Sequence, residues 1–134
     1  MKLAPSATLE EEVDNIAARF LGFVAQVRLY HWQTHVYARH RATDRLLKNL
    51  EPLVDRFVEV MIGRFGRRPS LDGVGERFAP RDLDDAAATE YVKEFASFLE
   101  SGSKIFDPPS SDLTSIRDNL LEELNRARYA FTLS

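Results

Sequence analysis

The fold is decided by residues 13–32, VDNIAARFLGFVAQVRLYHW. Apolar side chains recur in this stretch at steps of three and four residues, as they do on one face of an α-helix. Ser, Thr and three glutamates come directly before it, and these residue types cap a helix start and complement the helix dipole. We therefore expect a long amphipathic helix that begins near Thr8 and reaches at least Trp32.

A second amphipathic stretch begins near Tyr37 or His40 and ends within residues 63–69, where we expect glycines to act as C-caps. Pro52 lies inside it, and a proline removes one backbone hydrogen bond of a helix. The stretch is therefore either one kinked helix or two shorter helices. We favour the kinked helix, because the apolar phase continues unbroken past the proline.

Two further helices are predicted after a connection that is rich in Gly, Pro, Asp and Arg. Residues 84–86 start the third helix and residues 101–103 end it, and residues 108–112 provide a break and the caps for a fourth helix that extends to Phe131. The connection, residues 67–84, is long enough to cross from one end of a bundle to the other. The sequence predicts an all-α four-helix bundle, with residues 1–134 forming a single domain.

Composition excludes several classes of protein. The chain has 134 residues, 18 Lys and Arg against 21 Asp and Glu, and no Cys. Any metal must therefore be held by His, Asp and Glu, and DNA binding is not expected of a slightly acidic chain. No apolar run is long enough for a membrane span, and the start has no signal-peptide core. We expect a soluble cytoplasmic protein.

All three histidines lie within ten residues: His31, His35 and His40. On a helix His31 projects along the buried stripe of the first stretch, and His35 lies about 40° away, so both are expected to face the core or an interface. Histidines in such places are either ordinary buried side chains or metal ligands. The spacing alone leaves both interpretations open.

The second stretch adds carboxylates in helical register. His40, Asp44, Asp55 and Glu59 are separated by four, eleven and four residues and project within about 100° of one another. This polar ribbon is either an ordinary solvated helix edge or part of a metal site. Imidazole and carboxylate ligands from facing helices suit iron, manganese or zinc.

These residues carry a resemblance to a known family. The segment Tyr-His-Trp-Gln-Thr at residues 30–34, followed by His-x3-Asp at 40–44 and Asp-x3-Glu at 55–59, resembles the Dps-like branch of the ferritin superfamily. The chain is also similar to short ferritin-like proteins of phages and large DNA viruses. That group shares the His-Trp-Gln-Thr stretch and an Ile-Arg-Asp helix, here residues 116–118.

The resemblance implies a ferritin-like bundle with a metal site at a two-fold dimer interface. It implies that His31, His40 and Asp44 come from one subunit, and Asp55 and Glu59 from its neighbour. Iron is the implied metal, zinc or manganese also suits the ligands, and the implied activity is ferroxidase-type oxidation of Fe(II) by peroxide or oxygen. If the protein is viral, the host cytoplasm is its expected location.

The chain also departs from the Dps pattern. His31 and His40 are nine residues apart, three fewer than in Dps, and His35 has no Dps counterpart, so it is a further candidate ligand. Trp32 is either an aromatic group beside the site or a packing residue of the bundle. The lysine-rich N-terminal extension is missing, with only Lys2 there.

Two other interpretations remain beside the metal site. The first is a helical-bundle structural or interaction protein that does not use the metal site. The second is nucleic-acid binding through Arg64, Arg67 and Arg68, which a solvated C-terminal helix turn explains more simply.

Overall fold

The computed structural model describes residues 8–107 and 110–133, and all of the regular structure in those residues is helical. This confirms the all-α four-helix prediction. The four main helices are α1 (Leu9–Gln33), α2 (Tyr37–Phe65), α3 (Asp85–Ser101) and α4 (Ser111–Ala130). A short 3-10 helix, Lys104–Phe106, lies between α3 and α4 and was not predicted from the sequence. Lys2 and the prolines at 108 and 109 lie outside the described residues.

Local capping sets most of the helix ends. Thr8 and Glu11 form a reciprocal capping box at the start of α1, and the Asp84 carboxylate accepts the Ala87 N–H at the start of α3. Gly66 ends α2 with a φ of 70°, in the left-handed region that glycine adopts without strain. The expectation that Gly63 caps this helix was wrong, because Gly63 lies inside it.

Pro52 does not divide the second helix. A single helix runs from Tyr37 to Phe65 and includes the proline. Proline removes only its own N–H from the helix ladder, and the apolar face on both sides of it stays packed on the core through Leu50 and Phe57. The prediction of one helix through this stretch is confirmed.

The helices run up, down, down and up. α1 and α2 are antiparallel because only residues 34–36 connect them. The Tyr30 hydroxyl near the end of α1 donates to Asp85 at the start of α3, and the Tyr30 ring also lies 6.2 Å from the ring of Phe131, just after α4. α3 is therefore antiparallel to α1, and α4 is parallel to it. A bundle with one long crossover has the ferritin-like connectivity.

Aromatic rings join the helices in the core. Phe20 of α1 packs edge to face on Phe57 of α2, with ring centroids 5.2 Å apart, and Phe23 stacks on Phe95 of α3 at 4.1 Å. These rings are almost fully buried. Their burial removes a large apolar area from water, which is the main stabilising term of the bundle.

The crossover segment, residues 66–84, lies along the outside of α1. Arg67 pairs with Asp14 at 2.6 Å near the start of α1, and the Gln26 side chain exchanges two hydrogen bonds with the backbone of Arg81. Between these points Gly22 permits close approach, because a Cβ there would lie 2.6 Å from the carbonyl oxygen of Phe78. The segment is thus held to α1 along its length.

Candidate metal centre

The short connection between α1 and α2 brings two of the three histidines together. His31 lies in the last turn of α1 and His40 in the first turn of α2. Their imidazole rings stack with centroids 4.0 Å apart and an angle of 16° between the ring planes. His31 is 7% exposed, which confirms that it faces inward, and His40 is half-buried.

Hydrogen bonds fix the same tautomer on both rings. The His31 Nδ1 lies 2.8 Å from the Thr43 hydroxyl, which itself donates to the backbone carbonyls of Arg39 and His40 at 2.9 and 3.1 Å. With its single proton directed at these carbonyls, as is usual for a threonine inside a helix, the hydroxyl oxygen is the acceptor for a proton on the His31 Nδ1. The His40 Nδ1 lies 3.0 Å from the His31 carbonyl, which can only accept.

We therefore assign the Nδ1–H tautomer to both rings from the hydrogen-bond network. Within the described residues no hydrogen bond reaches either Nε2, so each keeps a lone pair. Metal-bound histidines have this arrangement, with one nitrogen held by a protein acceptor and the other free to coordinate.

Burial also keeps His31 neutral. Desolvation lowers the pKa of His31 below its ordinary value, and the neighbouring His40 lowers it further. The His40 backbone and Asp44 act in the opposite direction. A neutral imidazole is the form that binds a metal ion.

Of the carboxylates predicted as ligands, Asp44 lies one turn beyond His40 on α2, whereas Asp55 and Glu59 lie away from the histidines of the same chain. Asp44, Asp55 and Glu59 are all exposed on α2. Asp55 lies eleven residues beyond Asp44, about 16 Å along the helix, so one ion cannot bind both in the same chain. Among the residues described, no group of three His, Asp or Glu side chains is arranged to hold a metal.

His35 lies outside both helices. It belongs to the three-residue connection between α1 and α2 and is exposed, so it does not face the core, and the alternative expectation that it faces an interface stays a prediction. It misses the core because α1 ends at Gln33, and the helical projection does not extend to residue 35. The His35 charge lies close enough to Asp85 to lower the pKa of that carboxyl.

The stacked geometry limits what the two imidazoles can do together. A nitrogen lone pair lies in the plane of its ring, and the two ring planes are nearly parallel. A single ion cannot lie in both planes at a bond length of about 2.1 Å from each nitrogen. Shared coordination therefore requires one ring to rotate, and the partly exposed His40 is freer to do so than the buried His31.

Trp32 does not pack in the bundle. Its side chain is 70% exposed beside the histidine pair, and Tyr37 across the connection is exposed to the same degree. The bundle-packing interpretation of Trp32 was therefore wrong. The ring of Tyr37 lies 6.5 Å from that of His40, and Trp32 follows His31 in the chain.

A polar network that the sequence analysis missed holds the connection in place. Asp85 accepts hydrogen bonds from Tyr30 at 2.5 Å and from Thr34 at 3.0 Å. Arg39 donates to the Tyr30 hydroxyl, the Asp85 carbonyl and the Thr89 hydroxyl at 2.8–2.9 Å. The Tyr30 hydrogen bond is the main cause of the lowered pKa of Asp85.

Thr43 was also missed, although the sequence carries a signal for it. It is a polar residue on the apolar face of α2, next to Ala42 and Leu46, and it is completely buried. A buried hydroxyl needs a partner. The partner is His31, twelve residues away in the chain, and local pattern does not identify it.

The three arginines at the end of α2 are partly engaged within the chain. Arg64 pairs with Asp112 at 3.2 Å, and Arg67 pairs with Asp14. These pairs neutralise charge that a nucleic acid would need. None of the helices in the described parts of the chain is long and apolar enough to cross a membrane.

The fold and the site define a four-helix bundle protein with a stacked imidazole pair at one end of the bundle. Residues 31–131 match the Family of unknown function (DUF5856), and the chain belongs to this family. The match begins at His31 and includes α2, α3 and α4.

A phage protein is similar to most of the chain. The "Uncharacterized 14.6 kDa protein in mobD-ri intergenic region" of Enterobacteria phage T4 is 25% identical over 123 residues, which cover 87% of this chain and 88% of the relative. No solved structure matches the chain. The phage relative is compatible with the predicted viral association, and the relationship to Dps stays a prediction.

Proposed function

We propose that two copies of the chain pair across a two-fold axis and bind metal ions between them. The histidine pair and Asp44 of one copy face Asp55 and Glu59 of the other. The single observation that carries this proposal is the tautomer of His31 and His40, which leaves a coordinating lone pair on each ring.

Charge placement on the exposed face of α2 favours a second copy as the partner. Near the start of α2 this face carries His40, with the ring of the buried His31 of α1 stacked on it. Asp55 and Glu59, nearer the end of α2, make no ion pair with any described residue. Antiparallel pairing of two such faces brings the carboxylates of each copy to the imidazoles of the other. A two-fold interface is self-complementary in this way.

The exposed apolar residues of α1 are compatible with the same axis. Leu21 and Trp32 are 60% and 70% exposed and lie on the same side of α1, because eleven residues are close to three full helix turns. The midpoint between them along α1 falls between residues 26 and 27. The ligand positions on α2 are centred near residue 50. Phe20 and Phe57 are in contact, and each lies about seven residues from the midpoint on its own helix, in the same direction along the bundle axis. The two midpoints therefore lie at about the same height in the bundle. One axis therefore places Leu21 of each copy against Trp32 of the other.

Iron is the proposed metal, and Fe(II) the proposed substrate of an oxidation. Imidazoles bind Fe(II) well and carboxylates stabilise Fe(III), so a mixed ligand set favours the change in oxidation state. With peroxide as oxidant, two Fe(II) ions each lose one electron and the peroxide is reduced to water. Manganese and zinc also suit these ligands. A phage origin would put this activity in the host cytoplasm.

One observation favours a second candidate function. The two imidazoles stack face to face, and one ring must turn before both can bind one ion. The same exposed face could therefore serve a structural or interaction protein that pairs without metal.

Metal analysis combined with molar mass separates the two functions. Protein purified without chelator is loaded with Fe(II) under anaerobic conditions, and bound iron and molar mass are measured together. We expect a dimer with bound iron, and oxidation at a rate above the free-ion control when peroxide is added. In D55N/E59Q we expect loss of bound iron, with E90Q on the exposed side of α3 as the matched control. A dimer that binds no transition metal would favour the interaction protein.

The dimer itself is tested by Leu21→Glu, which adds a charge to an exposed position and leaves the core untouched. We expect a folded monomer with impaired iron binding, because each site would lose the carboxylates of the other copy. The shared site would be overturned if the wild-type protein bound iron as a monomer.

A further inference from the structure

Arg19 of α1 lies between two aromatic rings, and its guanidinium group makes no hydrogen bond to the described residues. Its guanidinium carbon lies 3.9 Å from the ring centroid of Phe98 on α3 and 5.2 Å from that of Phe78 in the crossover segment. The Nε is buried and has no hydrogen-bond acceptor among the described residues. No described residue accepts a hydrogen bond from the rest of the guanidinium either.

More positive charge surrounds this group. The Arg77 guanidinium lies 4.8 Å from the same Phe78 ring and donates a hydrogen bond to Asn15, one helix turn before Arg19. The Arg81 guanidinium lies 5.7 Å from the ring of Tyr91. In the described parts of the chain no carboxylate pairs with any of these three arginines.

The electrostatics of the cluster agree with an unmet need for negative charge. Burial is the main cause of the lowered pKa of Arg19. Tyr91 raises this pKa, Arg77 lowers it by a smaller effect, and Glu94 raises it slightly. Among the described residues Glu94 acts on Arg19 from beyond ion-pair distance, and no carboxylate pairs with the guanidinium group of Arg19 or of Arg77. Partial burial of the unpaired Arg19 charge costs stability, which an anionic ligand would offset.

The aromatic rings also prepare Arg19 for binding. Packing between Phe78 and Phe98 fixes the plane of the guanidinium, so little conformational entropy is lost when a ligand binds its N–H groups. The planar fork of donors fits two oxygens of a phosphate or carboxylate, and two adjacent arginines match the double charge of a phosphate.

We propose that Arg19 and Arg77 form a binding site for a phosphate group, with the Tyr91 hydroxyl as a further donor at its edge. The site lies between α1, the crossover segment and α3, away from the histidine pair. It is independent of the proposed metal function. The phosphate is either free inorganic phosphate or the phosphate of a nucleotide, since both present the same oxygens.

Calorimetric titration of the full chain with sodium phosphate tests the site at low ionic strength. We expect saturable binding that weakens by about tenfold or more in R19Q and in R77Q, because each change removes charge-assisted hydrogen bonds. The matched control is R45Q, an exposed arginine of α2, in which we expect affinity within about twofold of wild type.

The exposed Arg77 keeps the test decisive if R19Q fails to fold, because replacing Arg77 removes little packing. A titration with a nucleoside monophosphate distinguishes the two sources: equal affinity indicates inorganic phosphate, and tighter binding indicates a nucleotide. The proposal is overturned if the wild type shows no saturable binding of either ligand. It is also overturned if R77Q binds phosphate as tightly as the wild type does.

Discussion

Replacing Thr43 by valine should separate the hydrogen bond that fixes His31 from the packing around it. Valine keeps the β-branched shape and removes the hydroxyl that accepts the His31 Nδ1–H at 2.8 Å. Thr43 is completely buried and His31 nearly so, so water cannot replace the lost acceptor. An unsatisfied buried donor costs about 1–3 kcal/mol, and we expect the free energy of unfolding to fall by that amount.

The same change should weaken metal binding. Without Thr43 the His31 ring is free to place its proton on Nε2, which removes the lone pair that would coordinate a metal. Loss of such a supporting hydrogen bond lowers metal affinity by about 10–100-fold in known sites. Urea unfolding at pH 7.5 measures the first effect, and ¹⁵N chemical shifts of the imidazole report the tautomer directly.

Thr114→Val on α4 is the matched control. Its hydroxyl donates only to the Ser111 carbonyl one turn earlier, and the side chain is half-exposed. We expect a change within about 0.5 kcal/mol. Unfolding of Thr43→Val at the same urea concentration as wild type would refute the energetic role of this hydrogen bond, and a proton kept on Nδ1 of His31 would refute its role in setting the tautomer.

Three further predictions concern pH and packing. Because the pKa of His31 is lowered in the folded protein, the unfolded chain takes up a proton on this residue at a higher pH than the folded protein does. The free energy of unfolding should therefore fall as pH drops below about 6.5, and it should fall less in His31→Gln. Tyr30→Phe removes a hydrogen bond to the Asp85 carboxylate and should cost about 1–2 kcal/mol at pH 7, measured by urea unfolding. This cost should shrink as pH falls below the ordinary Asp value of 3.8 and be lost as pH falls through the lowered pKa of Asp85 in the folded protein. Gly22→Ala should lower thermal stability, because a Cβ there collides with the crossover segment, and repacking costs about 1–3 kcal/mol.

Each of these has an outcome that contradicts it. If the free energy of unfolding depended on pH in the same way in wild type and His31→Gln, burial would not be lowering the pKa of His31. A Tyr30→Phe cost that stays the same from pH 7 to the acid unfolding of the protein would mean that Asp85 is not the partner that matters. Gly63→Ala is the control for Gly22, because nothing lies within 4 Å of its added Cβ, and we expect it to stabilise α2 by up to about 1 kcal/mol. Equal effects at the two glycines would disprove the close approach.

The helices were predictable because local interactions set them. The capping box at Thr8 and the cap at Asp84 each involve residues three apart, and both were expected from the sequence. The end of α2 depended on the backbone conformation, which is left-handed at Gly66 and not at Gly63. The end of α1 agrees with the prediction that it reaches at least Trp32, and His35 follows it in the connection.

The candidate site was predictable only in part. Helical phase placed His31 on the buried face, because burial of one stripe follows from periodicity. The stacking of His31 on His40 and the bond to Thr43 depend on how tightly α1 and α2 approach, which spacing does not specify. The predicted role of Asp55 and Glu59 as ligands depends on a second copy of the chain. The measurements of bound iron and molar mass test this role.

By itself the sequence determined four amphipathic helices, their order, and a connection long enough to cross the bundle, since these follow from periodicity and capping within a few residues. The tertiary structure decided which side chains meet across long separations in the chain. It joined Tyr30 to Asp85 and fixed Arg19 between Phe78 and Phe98. Such partners are fixed by close packing of whole helices, where one ångström decides whether two groups bond, and no local pattern records that distance.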